Sequence, residues 1–106
     1  MKLLTKAIAK TLPALHSQDE VEDPKARLKL FNPTGSESWF ITEGEQLADS
    51  LDWMFYGKLY SSQCPDGEWG YSLLSELKSV KGRWGLGIER DMWFKAIPVS
   101  RCKLGT

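Results

Sequence analysis

Histidine is nearly absent from this chain, and cysteine is scarce. The one imidazole is His16, and the two thiols, Cys64 and Cys102, stand far apart with no C-x-x-C spacing. Nucleophilic catalysis of the triad kind needs an imidazole within reach of a nucleophile and an orienting acid, so the sequence offers it little material. A zinc site from Cys64, Cys102 and His16 has ligands of the right type but not the spacing of known sites. Two reduced thiols are expected instead, with no metal and no cofactor. No stretch approaches the roughly 20 apolar residues that cross a bilayer. Lys2, Lys6 and Lys10 interrupt the apolar residues that a signal peptide would keep together. The expected setting is the cytoplasm, without a membrane partner.

Other signatures are missing too. The stretch Trp84-Gly85-Leu86-Gly87 holds G-x-G but lacks the third glycine of a dinucleotide fingerprint and follows a helical pattern rather than a strand. There is no phosphate-binding loop, no internal repeat and no low-complexity segment. Net charge is zero, with a pI of about 6.6. Direct nucleic-acid binding is disfavoured by that balance, and so is mimicry of DNA, which calls for a strongly acidic molecule.

What remains is a chain of 106 residues, 42% hydrophobic and 26% charged, which suits one folded domain spanning 1–106. Five tryptophans are more than one small core requires, and large aromatics are enriched where proteins meet partners. Charge is segregated along the chain. From Asp19 to Glu76 twelve acids face Lys25, Arg27, Lys29 and Lys58, whereas from Leu77 onward seven bases face only Glu89 and Asp91. Folding either averages this asymmetry into a mixed surface or gathers the acids into a face for a basic partner.

Thr5 precedes Ile8, Leu12 and Leu15 at helical spacing, so a short first helix is expected, ended by Pro13. Residues 16–24 are polar and acidic and read as an exposed, mobile loop. Leu28 to Phe31 alternate as a strand, Asn32 to Gly35 form a turn, and Trp39 to Thr42 form a second strand. Trp53 to Tyr60 give a third, in which Gly57 marks a bulge or a close backbone approach. Pro65-Asp66-Gly67 signals a turn before a strand at Glu68 to Tyr71. Leu73, Leu74, Leu77 and Val80 then recur at helical intervals behind a Ser72 cap, and Met92-Trp93-Phe94 read as a last strand. The predicted fold is α+β: an antiparallel sheet of four to five strands with two helices packed on it, since parallel crossovers have no room. Leu12, Leu30, Phe40, Phe55, Leu74, Leu77 and Phe94 are the expected core.

The strongest local cluster of charge is Glu89-Arg90-Asp91, which fits either a structural ion-pair network or a binding site. The aromatic series Trp53, Phe55, Tyr60, Trp69 and Tyr71 suits either the core or stacking platforms on a sheet.

Three stretches resemble one family. They are Met1-Lys2-Leu3-Leu4-Thr5-Lys6 with Leu12-Pro13-Ala14-Leu15, Gly70 to Gly82, and Gly85-Leu86-Gly87-Ile88-Glu89-Arg90-Asp91-Met92-Trp93-Phe94. In order and nearly end to end, they resemble the DUF2958 family, whose motifs run G-Y-F-S-L-S-E-L-E-S-V-R-G and G-L-P-I-E-R-D-L-Y-F. Leu73 departs from a serine in that pattern and Gly87 from a proline. The resemblance implies a setting on plasmids, conjugative elements and phages, often near antirestriction genes, with no catalytic residue assigned. It makes a non-enzymatic anti-CRISPR or antirestriction inhibitor of a host nuclease the leading expectation. The alternatives are a small enzyme or metal-dependent factor, or an accessory DNA-associated module of conjugation or replication. For an inhibitor, the expected binding residues are the acids Glu43, Glu45, Asp49 and Asp52, with Asp19, Glu20, Glu22 and Asp23 beside them. Trp39, Trp53 and Trp69 are the expected anchors, and Glu89, Arg90 and Asp91 the further candidates.

Overall fold

A computed structural model describes residues 2–103 of the chain. Helix α1, Lys6–Thr11, begins where the Thr5 hydroxyl accepts the Ile8 N–H at 3.2 Å, and it stops before Pro13, which has no N–H to continue it. Strands β1 (Lys25–Ala26), β2 (Leu28–Phe31), β3 (Ser38–Gln46), β4 (Trp53–Ser61) and β5 (Cys64–Leu73) follow. Helix α2, Leu74–Ser79, leads to β6 (Glu89–Arg90) and β7 (Ile97–Pro98). The five-stranded sheet has the order β5-β4-β3-β2-β6, with every pair antiparallel, and β1 pairs with β7 in a small second sheet. The expected α+β fold is therefore the fold observed.

Alternation along the strands divides the core. On one face Leu28, Leu30, Ile41 and Phe55 meet Leu74 and Leu77 of α2, Ile88, and the N-terminal Leu3 and Leu12. On the other face Phe40 and Tyr60 meet Ala26 and Cys102, with Phe94 and Ile97 beside them. Gly57 lies against the backbone of Phe40, leaving no space for a side chain, which is the close approach its sequence position suggested.

A bulge in β3 sets up everything that follows. Ile41 pairs with Gly57 and Glu43 pairs with Tyr56, so Thr42 is an extra residue, and its hydroxyl donates to the Tyr56 carbonyl at 3.2 Å. Without it Glu43 would share the face of Ile41. The inserted residue turns Glu43 onto the face of Phe40, beside Tyr56.

Three local expectations are corrected. Pro65-Asp66-Gly67 is not the hairpin turn. The chain reverses at Ser62 and Gln63, and Pro65 to Gly67 form an irregularity within β5, where Gly67 takes φ +83°. Ser72 does not cap α2, because Leu73 occupies the cap position. A distant carboxylate serves instead: Asp52 accepts the Ser75 N–H at 3.0 Å and its hydroxyl at 2.6 Å. Met92 to Phe94 are not a strand. Asp91 accepts the Trp93 N–H at 2.9 Å through its side chain and the Phe94 N–H at 3.3 Å through its carbonyl, which folds the segment into a turn.

Candidate binding site

Beyond the part of the Phe40 face covered by β1, β7 and the C-terminal segment, an aromatic cluster is left open to solvent. Cross-strand pairing puts Tyr56 opposite Tyr71 and Lys58 opposite Trp69. Tyr56 stacks on Trp69, with centroids 5.4 Å apart and planes 16° from parallel, and meets Tyr71 at 4.8 Å. Trp69 keeps 40% of its surface exposed and Tyr71 52%. Lys58 Nζ lies 5.8 Å from the Trp69 ring centroid and 5.4 Å from that of Tyr60, so a cation already rests on this cluster from within the protein.

The acidic loop that follows α1 closes the cluster on one side. Glu43, only 2% exposed, directs both carboxyl oxygens at it: Oε1 accepts the His16 N–H and Oε2 the Gln18 N–H, each at 2.9 Å. Glu45 Oε1 accepts the Leu15 N–H at 2.9 Å, and the Pro13 carbonyl accepts the Gly44 N–H at 3.0 Å. The start of the segment expected to be a mobile loop is thus fastened to β3 at His16 and Gln18, next to the anchors at Pro13 and Leu15. His16, at φ +69°, brings its ring 6.1 Å from Tyr71, with Nε2 at 3.5 Å from the Tyr71 hydroxyl and Nδ1 at 3.6 Å from Asp19.

Between loop and cluster lies an open pocket of about 260 Å³, lined among others by Gln18, Asp19, Glu22, Thr42, Tyr56 and Trp69. Burial, together with the neighbouring Tyr71, Glu43 and Asp19, pushes the Tyr56 hydroxyl above its ordinary pKa and keeps it protonated. An aromatic wall with carboxylates on the rim suits a cation, whether the ammonium of lysine or the guanidinium of arginine.

The candidate residues are distributed unevenly around this pocket. Trp69 is in it. Glu43 forms part of its base but is buried, so its place on an acidic surface is corrected: it holds the loop instead. Glu45 does the same from an exposed position. Asp49 is exposed in the β3–β4 turn, away from the pocket lining, and Asp52 caps α2. Trp39 and Trp53 are partly buried and pack against the helix-covered core. Glu89 and Arg90 pair with Phe31 and Leu30 at the far edge, and Asp91 forms an ion pair with Lys29 at 3.6 Å, which favours the structural reading of that cluster. The two most exposed tryptophans, Trp84 at 82% and Trp93 at 91%, were not among the expected anchors. Tyr56 was missed altogether, and Tyr71 was weighed only as a possible stacking platform, although the two-residue spacing of Trp69 and Tyr71 already placed both on one face.

His16, Cys64 and Cys102 each have other neighbours. Cys64 Sγ points to Glu68 at 3.9 Å and Cys102 Sγ to the Pro98 carbonyl at 3.8 Å. Among the described residues no group of three or more His, Cys, Asp or Glu side chains is placed to hold a metal ion. Likewise no described helix is long and apolar enough to cross a membrane.

Residues 3–101 match the model of a family described as a protein of unknown function, DUF2958. The chain belongs to the DUF2958 family. No curated protein and no solved structure matches it. In this DUF2958 chain the family match covers the acidic loop, the β3 bulge and the aromatic strands together.

Proposed function

We propose that this protein is a counter-defence inhibitor, encoded by a mobile element or phage, which binds a bacterial defence nuclease and blocks it without catalysis. The observation that carries the reading is the acid-rimmed aromatic pocket formed by Tyr56 and Trp69 with Asp19 and Glu22. Nucleases that grip nucleic acid do so through lysine and arginine side chains along a basic groove. Such cations match the pocket in charge and in their preference for an aromatic face, so an inhibitor seated there competes with the phosphate backbone. The genetic setting implied by the family resemblance supports the same reading. The partner is a protein, and cofactors have no part in the interaction.

The test is protection in cells followed by titration in vitro. Strains carrying defined CRISPR or restriction systems are challenged with phage while expressing the parent protein or a Trp69→Ala, Asp19→Asn, Glu22→Gln variant. The parent is expected to restore plaque formation against at least one system, with cleavage by that purified nuclease falling to zero at a fixed molar ratio. The folded variant is expected to lose protection. Protection that survives these substitutions, or inhibition that proceeds by turnover, contradicts the proposal.

A further inference from the structure

Strand β5 is the last strand of the sheet, with β4 on one side and, among the described residues, no strand on the other. An edge of this kind templates pairing with another chain, and proteins commonly blunt it with proline, lysine or a bulge. Here Pro65 and the irregularity before Glu68 guard only the beginning. From Glu68 to Leu73 the edge carries no proline and no lysine.

Two hydrogen bonds reveal which main-chain groups look outward. The Tyr56 carbonyl is taken by Thr42, on the β3 side of β4, so Tyr56 and Tyr71 form a pair that does not exchange hydrogen bonds. The Leu73 N–H is turned away from β4, to the Glu76 carboxyl at 3.2 Å. With a period of two, the N–H and C=O of Trp69 and Tyr71 both face away from the sheet. The Trp69 side chain lines the acid-rimmed pocket, and the Tyr71 ring lies beside it against Tyr56. Between them Gly70 faces the opposite side, across from Gly57, and a side chain built on Gly70 would meet nothing within 4 Å. That pair of glycines floors a second hollow of about 210 Å³, walled by Trp39, Ile41 and Leu59.

We infer that β5 receives an extended, basic segment of a partner protein as a sixth strand, paired through the main chain of Trp69 and Tyr71. This rests on the pocket reading above and specifies its mode. Residues of the segment on the Trp69 and Tyr71 side place lysine or arginine against the aromatic rings, Asp19 and Glu22. The alternate residues place small or branched apolar side chains over Gly57 and Gly70. Main-chain bonds give such a complex affinity, and the two hollows give it selectivity. Charge selects the occupant: Asp66 and Glu68 are the charged residues of β5 itself, so a basic strand is matched and a second copy of β5 is not.

The probe is a synthetic peptide of alternating valine and lysine, compared with the same peptide N-methylated at alternate residues so that the pairing edge has no donors and the charge is unchanged. Binding is read by tryptophan fluorescence, and amide exchange by NMR. The unmodified peptide is expected to bind and to slow exchange at Trp69 and Tyr71. N-methylation is expected to weaken binding by about tenfold or more, the weight of one or two lost hydrogen bonds. Tyr71→Pro removes an outward N–H and is expected to reproduce that loss. Should Tyr71→Pro not fold, the methylated peptide decides alone. Equal binding of both peptides overturns strand addition, and leaves the pocket reading standing if Trp69→Ala with Glu22→Gln abolishes it. Failure of the unmodified peptide to bind overturns it as well. A concentration-dependent dimer that protects Trp69 and Tyr71 without peptide assigns the edge to a second copy and also overturns it.

Discussion

Glu43 and Cys102 are both buried and have opposite jobs. Both carboxyl oxygens of Glu43 are engaged by backbone donors, the N–H groups of His16 and Gln18. Glu43→Ala is expected to cost on the order of 3 kcal/mol, since hydrogen bonds to a charged group are worth about 1.5–3 kcal/mol each. It should also speed amide exchange at His16 and Gln18; unchanged exchange there would remove Glu43 from its fastening role. Glu43→Gln restores little, because an amide nitrogen would face an N–H donor where an oxygen now accepts. That role was illegible in the sequence. Glu43 reads only as an acid, and its burial depends on the parity change at Thr42; Gly57, opposite Ile41, marks a bulge or close approach there but does not say which strand carries the extra residue. Cys102, by contrast, is inert: burial pushes its thiol up to about 11 from 9.0. The unfolded chain therefore ionises first, and this residue's contribution to stability declines as pH rises above about 9. Alkylation at neutral pH is expected to modify Cys64 well before Cys102. Equal rates would contradict the packing around Val99 and Cys102.

At the scale of elements, two carboxylates clamp short segments in the same way. Asp52 accepts from Ser75 at the start of α2, and Asp23 accepts from the Ser100 N–H at 3.0 Å and hydroxyl at 2.6 Å in the turn after β7. In each case the serine side chain is the main cause that holds the carboxyl below its ordinary 3.8. A depressed folded-state pKa contributes stability above 3.8 and loses it as pH falls through the folded value. Asp52→Asn is therefore expected to lower the melting temperature at neutral pH and to converge with the parent in acid. A difference that persists at low pH would assign the effect to packing. Within α2, Leu77→Ala is expected to cost about 2–5 kcal/mol, as for other buried leucines. A cost under about half a kilocalorie per mole would place Leu77 outside the core. Strands β2 to β5 and both helices were legible because their alternation and helical spacing are local, whereas the two-residue strands β1, β6 and β7 are too short to carry a pattern. The α2 cap was not, since its acceptor lies 23 residues upstream of Ser75. Met92 to Phe94 misled for a related reason: apolar composition suggested a strand, but Asp91 turns the chain away from the sheet.

For the whole molecule, the decisive feature is that one face of the sheet is covered by helices and the other only in part, leaving the aromatic end of β4 and β5 beside an acidic loop. Charge segregation along the sequence left open an acidic face or a mixed surface, and of the eight candidate acids only Asp19, Glu22 and the buried Glu43 line the pocket on which the proposal rests. Most of the basic residues after Leu77, including Lys78, Lys81, Arg83 and Lys95, remain exposed. They form the next surface to vary if the pocket proves silent. The most direct measurement is the rate of complex formation and decay with a nuclease that the protein inhibits, across a series of salt concentrations. Neutralising Asp19, Glu20 and Glu22 is expected to slow association and flatten its salt dependence, whereas Trp69→Ala is expected to accelerate dissociation by an amount worth about 2 kcal/mol or more. Folded variants that associate, dissociate and inhibit like the parent at every salt concentration would show that the acid-rimmed pocket is not where this protein acts.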